Sequence, residues 1–291
     1  MERWAASSSG HLGALFVGLA LVSSPVFAQR SASPTVTLLT SMIDLGKIAP
    51  SAPAVAASSQ GNAVVRVTSD RYWQLAMVRD PDSVGDEIAL SSDGAVWTIS
   101  NPGLLVPLAT GTATPPEGFL VNARLRVTPT FDMHPGRRQY SFSLMLNGQR
   151  VDPPVRLNFE ISPTVTFEED NGRFAVTADR PSERRDYDFN PRTYIVRSNV
   201  PWVLEIAPQT SSPAPYTVEA LDEDGSLKPL THLIIVARGQ ATGRSGASIP
   251  VRLRLKLAEV AEAGAYSTNI DVRARIVTPL DKVVSKGEIR K

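Results

Sequence analysis

Imidazoles and thiols carry much of the acid–base, nucleophilic and metal chemistry available near neutral pH, and this chain is poor in both. It has three histidines, His11, His134 and His232, and no cysteine among 291 residues. That excludes thiolate zinc sites, iron–sulfur clusters, cysteine nucleophiles and any disulfide framework. His134 sits in Asp132-Met133-His134-Pro135-Gly136, which reads as a turn, and His232 lies far along the chain. No Gly-x-Ser-x-Gly elbow accompanies them. Acidic clusters occur at Asp80-Pro81-Asp82 with Asp86-Glu87, at Glu168-Glu169-Asp170-Asn171 and at Asp222-Glu223-Asp224. Calcium needs about six or more oxygens converging on one point. None of the three follows an Asp-x-Asp-x-Asp-Gly loop, and two read as hairpin tips, where solvated charge is expected. The expectation is no catalytic residue, no metal and no cofactor.

Aromatic rings offer another chemistry, stacking on a sugar or a partner side chain. Tyr72 and Trp73 are adjacent, so on a strand only one of them faces the core. Trp73 recurs later as Trp202, whereas Tyr72 is replaced there by Pro201. Trp73 and Trp202 are therefore expected in cores, and Tyr72 and Trp97 are the candidate ligand-facing aromatics. Basic rows at Arg124/Arg126 and Arg252/Arg254/Lys256 read as solvated sheet faces, which also discourage edge-to-edge aggregation. With 30 Lys+Arg against 29 Asp+Glu the net charge is +1, so no basic field exists to hold nucleic acid. The apolar share of 42% and charged share of 20% exclude both a disordered chain and a multi-span membrane protein.

The elements that must position these residues have period two. Val121, Ala123, Leu125 and Val127 alternate with Asn122, Arg124 and Arg126, and Val251, Leu253, Leu255 and Leu257 alternate with Arg252, Arg254 and Lys256. A sheet with one buried and one wet face gives this pattern. Asp93-Gly94, Asn147-Gly148, Asn171-Gly172 and Asp224-Gly225 are hairpin-turn signals. The one helix-like stretch, 257–263, is short enough to be a single turn. The fold class expected is all-β, two tandem antiparallel β-sandwiches.

The tandem comes from an internal repeat. Val65–Leu75 aligns with Tyr194–Leu204, setting Trp73 on Trp202 at an offset of 129. Ala89–Gly94 then aligns with Ala220–Gly225, and Val121–Val127 aligns with Pro250–Leu255. Gly136 and Tyr140 correspond to Gly264 and Tyr266, each pair opening a strand. The boundary falls near Ile161-Ser162-Pro163, because Pro163 breaks a strand and Thr164–Phe167 starts the next.

Met1–Ala28 reads as a targeting segment. Arg3 precedes an apolar run from Leu12 to Val22, too short for the ~20 residues of a membrane span. Val26-Phe27-Ala28 then supplies small residues at −3 and −1 of a cut. The organisation expected is a signal peptide at 1–28, a short extension at 29–34, sandwiches at 35–161 and 162–279, and a basic tail at 280–291. N-terminal mass spectrometry of exported protein should find Gln29 first; an intact Met1 in a membrane fraction would contradict cleavage.

Glu262-Ala263-Gly264-Ala265-Tyr266 resembles the Asp-x-Gly-x-Tyr corner of immunoglobulin-like (Ig-like) domains, and Trp73 and Trp202 look like core tryptophans of that sandwich. Ile43-Asp44-Leu45-Gly46-Lys47-Ile48-Ala49-Pro50 resembles the opening of tandem bacterial Ig-like modules of surface and fimbrial type. The second copy lacks that opening. The resemblance implies adhesion, pilus assembly or envelope structure. It makes Tyr140 and Tyr266 structural core residues beside the two tryptophans. The resulting expectation is an exported, non-enzymatic structural or adhesive protein of the periplasm or cell surface, not an integral membrane protein once the signal is cleaved. A periplasmic assembly chaperone with two Ig-like domains, which would need basic residues between its domains, and a carbohydrate-binding surface protein are the alternatives.

The two copies differ at their ends. From Tyr140 to Pro163 is 23 positions, and from Tyr266 to Pro279 only 13. Either the second sandwich is one strand short or the tail supplies that strand through Lys282-Val283-Val284. The strand carrying Tyr266, Ile270, Val272 and Ile276 is thus a candidate partner edge, open to protein partners by β-strand addition, the alternative being one continuous long strand paired on both sides.

Overall fold

The computed structural model describes residues 33–51, 59–81, 87–169, 174–209 and 216–277. The targeting segment, the Asn171-Gly172 turn and the basic tail lie outside them. Every described element is a strand. In the first half these are β1 (Thr35–Leu38), β2 (Met42–Ile48), β3 (Ser59–Thr68), β4 (Trp73–Arg79), β5 (Ile88–Ser91), β6 (Thr98–Ile99), β7 (Leu105–Gly111), β8 (Phe119–Val127), β9 (Gly136–Leu146) and β10 (Gln149–Ile161). They form two five-stranded sheets, β1-β3-β8-β5-β6 and β2-β10-β9-β4-β7. The pairings are antiparallel save at one edge, where β2 pairs with β10 in parallel. The chain leaves one sheet after β1, crosses over and lies down on the edge of the other, with Ile43 and Ile48 buried.

Period-two burial drives this packing. Val121, Ala123, Leu125 and Val127 of β8 and Trp73, Leu75 and Met77 of β4 meet in one core between the sheets. Asn147 (φ 50°) and Gly148 (φ 78°) close the β9–β10 hairpin, two successive positive φ values as a two-residue primed turn demands. Helix-like 257–263 is indeed only a turn, with Ala261 N donating to Ala258 O at 3.2 Å.

The second half contains β11 (Val165–Glu169), β12 (Phe174–Ala178), β13 (Asp186–Asp188), β14 (Arg192–Ser198), β15 (Trp202–Pro208), β16 (Tyr216–Leu221), β17 (Leu227–Pro229), β18 (Ile234–Gly239), β19 (Ala247–Val251), β20 (Leu253–Leu257), β21 (Gly264–Thr268) and β22 (Ile270–Ile276). The sheets are β11-β14-β19, β13-β20-β16-β17, β12-β21 and β18-β15-β22. They enclose a second core that includes Trp202, Leu204, Leu253 and Leu255. Strands continuous in the first half are interrupted here. Pro191, which cannot donate to a ladder, lies between β13 and β14.

The repeat extends to atomic detail. Ser69 N donates to Thr114 Oγ1 and Ser198 N to Thr242 Oγ1, both at 2.9 Å. Ser69 Oγ and Ser198 Oγ each donate to the carbonyl two residues on, at 2.7 Å. Trp73 pairs across the ladder with Gly111, and Trp202 with Gly239. A Cβ on either glycine would lie 2.8 or 2.5 Å from the indole, so each ring is seated on bare backbone.

One repeat position has diverged. Asp70 is exposed, but its counterpart Asn199 is 3% exposed and joins the two halves. Asn199 Nδ2 donates to Met133 O (3.2 Å) and Ser162 O (3.1 Å), and its Oδ1 accepts from Thr164 N (2.8 Å). Alongside, Arg244 N donates to Asp132 Oδ1 at 3.0 Å, and the Arg244 side chain pairs with Asp132 at 2.8 Å and Glu87 at 3.5 Å.

Candidate functional site

In the first core, β9 is paired on both edges, with β4 and β10. Its inward residues Phe142, Leu144 and Leu146 are 0%, 0% and 7% exposed. The equivalent positions of the second core follow from register, since Leu75 faces Leu146 and Leu204 faces Ala274. They are Ile270, Val272 and Ala274 on β22. These pack on the second core yet stay half-buried. β22 pairs with β15 on one edge. Among the described residues no strand lies along the other. β12 pairs with β21 from Phe174 opposite Thr268, where the described part of β12 begins, to Ala178 opposite Gly264. β11, from the facing sheet, approaches β22, and its Val165 and Phe167 are also only half-buried. The half-buried inner side chains of residues 270–276 floor an apolar slot against β11.

The outer face of β22 is held in ion pairs. Arg275 binds Glu205 at 2.7 Å, and Glu205 is 5% exposed beneath it. Arg273 pairs with Asp271 at 2.6 Å. Where the slot meets β12, a recess of about 120 Å³ is lined by Glu169, Phe174, Arg192 and Ile270 among others. Arg192, buried over the Phe174 ring at 5.1 Å, pairs with Glu169 at 3.0 Å. Tyr194 OH donates to the same Glu169 oxygen at 3.2 Å. Burial, and then the charge of Glu169, push the Tyr194 phenol from 10.0 up to about 12. A pKa raised in the folded state adds stability that is complete below the unfolded value and is lost as pH climbs through the folded one. Absorbance titration should therefore show one phenol still protonated above pH 10, ionising with the fold's alkaline loss. Tyr194→Phe should remove that late ionisation.

The residues picked from sequence are spread over the molecule. Tyr72 is 62% exposed beside the β3 end of the β3–β8 ladder. Trp97 is half-buried under Arg126, whose guanidinium lies 4.4 Å from its ring, and Trp97 Nε1 donates to Gly94 O at 3.0 Å. Arg126 faces Gln60 at the opposite end of the same ladder, so Tyr72 and Trp97 do not share a platform. Trp73, Trp202 and Tyr140 are buried. Tyr140 stacks on Phe159 at 5.7 Å, with Arg79 over it at 4.6 Å. Tyr266 is half-buried, donates its hydroxyl to Glu262 O and meets Tyr216 edge-on at 5.5 Å. It lies on β21, opposite Val176 of β12, so of the candidate edge residues Ile270, Val272 and Ile276 border the slot and Tyr266 does not.

Described members of the acidic clusters are engaged elsewhere: Glu168 with Arg197, Asp222 with Lys228, Asp80 accepting from Ser143 Oγ at 2.7 Å. Among the described residues no group of three or more His, Asp and Glu could hold a metal ion, and no helix is long and apolar enough to cross a membrane. Sequence reasoning missed Arg192, Glu205, Asn199 and the two ring-seating glycines. Each acquires its meaning from a partner many residues away.

No protein-family model matches the chain, and no curated protein matches it in sequence. Several solved structures are similar in fold. One is a chaperone–tip adhesion subunit pre-assembly complex from archaic chaperone-usher Csu pili of Acinetobacter baumannii, at 11% identity and TM-score 0.43 over 83% of this chain and 100% of that one. Another is the CupB6 tip adhesin from Pseudomonas aeruginosa, at 8% identity and TM-score 0.29 over 84% and 95%. A third is the CooA pilin subunit from enterotoxigenic Escherichia coli, at 14% identity and TM-score 0.24 over 44% and 97%.

Proposed function

We propose that the chain is an exported, non-enzymatic structural or adhesive protein of the bacterial envelope or of a fimbria-like appendage. In this reading the sandwiches, 35–161 and 162–279, act through protein–protein contacts made by β-strand addition. The observation that carries the reading is the slot beside β22. Its apolar floor, Ile270, Val272 and Ala274, is half-buried where the equivalent Phe142, Leu144 and Leu146 of the first copy are closed. An added strand would bury that floor, as β-augmentation does. The net charge of +1 gives nucleic acid no purchase.

Hydrogen exchange tests the reading. In dilute mature protein ending at Pro279, amides along 270–276 should exchange quickly and slow as concentration rises or a strand-forming partner is added. Full protection in that dilute monomer would overturn it. Fractionation should place the mature chain outside the cytoplasm.

A further inference from the structure

We propose that a recess on the outer face of the second sandwich takes one aromatic side chain of a protein partner, carried next to an acidic residue. The recess, of about 350 Å³, is lined by Asp188, Pro191, Leu221, Leu227, Arg252 and Arg254 among others. It is a different place from the slot beside β22, and its failure would leave that reading untouched. The duplication identifies what this face holds in the first copy. Val67 faces Phe119 and Val196 faces Ala247, so Phe119 corresponds to Ala247 and, six residues on in both, Leu125 to Leu253. Leu90 lies opposite Leu125 and Ala220 opposite Leu253, which sets Leu90 on Ala220, one residue from the alignment of the sequences. Thr98 faces Leu90, and Lys228 faces Ala220. The residues just before them, Trp97 and Leu227, therefore hold one position, and so do Arg126 and Arg254.

In the first copy the Trp97 ring covers this face, half-buried, with the Arg126 guanidinium 4.4 Å from its centre. In the second copy a shorter leucine stands there, 36% exposed, and the recess borders both it and Arg254. Leu221 faces Leu227 across the β16–β17 ladder and replaces Ser91, so the floor is apolar where the first copy has a hydroxyl. The rim selects the rest of the chemistry. Arg254 Nε donates to Asp188 Oδ1 at 2.9 Å, which holds that guanidinium in place as a platform for a ring. Arg252 is exposed and has no ion-pair partner among the described residues. A partner's ring would stack as Trp97 does in the first copy, and a carboxylate beside it would complement Arg252. An aliphatic side chain would forgo the stacking, and a basic neighbour would oppose Arg252.

The probe is the peptide acetyl-Gly-Trp-Asp-Gly-amide, titrated into full-length mature protein and followed by backbone amide shifts. It should perturb Leu221, Leu227, Arg252 and Arg254 with a dissociation constant on the order of 1 mM. Leucine in place of the peptide's tryptophan should weaken binding about ten-fold, the loss of the ring on Arg254. Asparagine in place of its aspartate should weaken binding about three-fold, and Arg252→Gln should do the same with no further loss when the two are combined. Leu227→Trp restores the side chain of the first copy, fills the recess from within and should abolish binding. Arg252→Glu, at an exposed position, tests the same site should that tryptophan perturb the fold: it should transfer the preference to a peptide with lysine in place of aspartate. Shifts at these four amides that persist in Leu227→Trp would overturn the proposal, as would equal binding of the leucine peptide or no shift at about 10 mM probe. Shifts confined to 270–276 would overturn the recess and leave the β22 reading standing.

Discussion

Trp202→Ala and Trp73→Ala each lower stability by about 3–5 kcal/mol, the cost of deleting a buried indole whose seat cannot collapse. The rings are 1% and 2% exposed, and each rests on a glycine of the neighbouring strand, Gly239 and Gly111. Filling the seat from the other side is also costly. Gly239→Val and Gly111→Val force side-chain and backbone shifts worth about 1–3 kcal/mol. Trp97→Ala loses mainly its stacking with Arg126, about 1 kcal/mol. Denaturant titrations of the three Trp→Ala variants should show two large losses and one small one. Three equal, small losses would mean that the repeat does not place Trp73 and Trp202 equivalently. The two indoles differ in one respect: Trp202 Nε1 donates to Gln240 O at 2.8 Å, whereas Trp73 Nε1 has no partner among the described residues. Trp73→Phe is therefore the milder of the two conservative changes.

Asn199→Ala should cost about 3 kcal/mol, since it strips three hydrogen bonds from a site 3% exposed, each worth about 1 kcal/mol net. The effect reaches beyond local stability. Met133 O and Ser162 O lose their donor and Thr164 N its acceptor, while the exposed pairs of Arg244 with Asp132 and Glu87 remain. Solution scattering should then show a wider spread of relative orientation, increasing with salt as those ion pairs are screened. The control is Asp70→Ala, the same repeat position in the first copy, where exposure predicts a change within about 0.5 kcal/mol. Equal effects at Asp70 and Asn199 would contradict an elbow built on Asn199. Arg244 also bears on the chaperone alternative. Basic residues between the halves would have to be free to hold a partner, and this one is matched by Asp132 and Glu87.

What the sequence determined by itself is the local code of the sheets. Alternation at Val121–Val127 and Val251–Leu257 specified which side chains turn inward, because successive residues of a strand point to opposite faces. Asn147-Gly148 specified a tight hairpin, because both positions need positive φ. The recurrence of Trp73 as Trp202 exposed the duplication, and the shorter stretch after Tyr266 drew attention to β22. Tertiary structure alone decided the rest. Gly111 and Gly239 carry no local mark of the rings they support. Arg192 and Glu205 read as ordinary strand charges until Glu169 and Arg275 arrive from other strands. The crossover that makes β2 run parallel to β10, and the pairing of β12 with β21, depend on which strands become neighbours. Neighbourhood between distant strands is set by how two apolar faces fill one core, and no window of local sequence contains both faces.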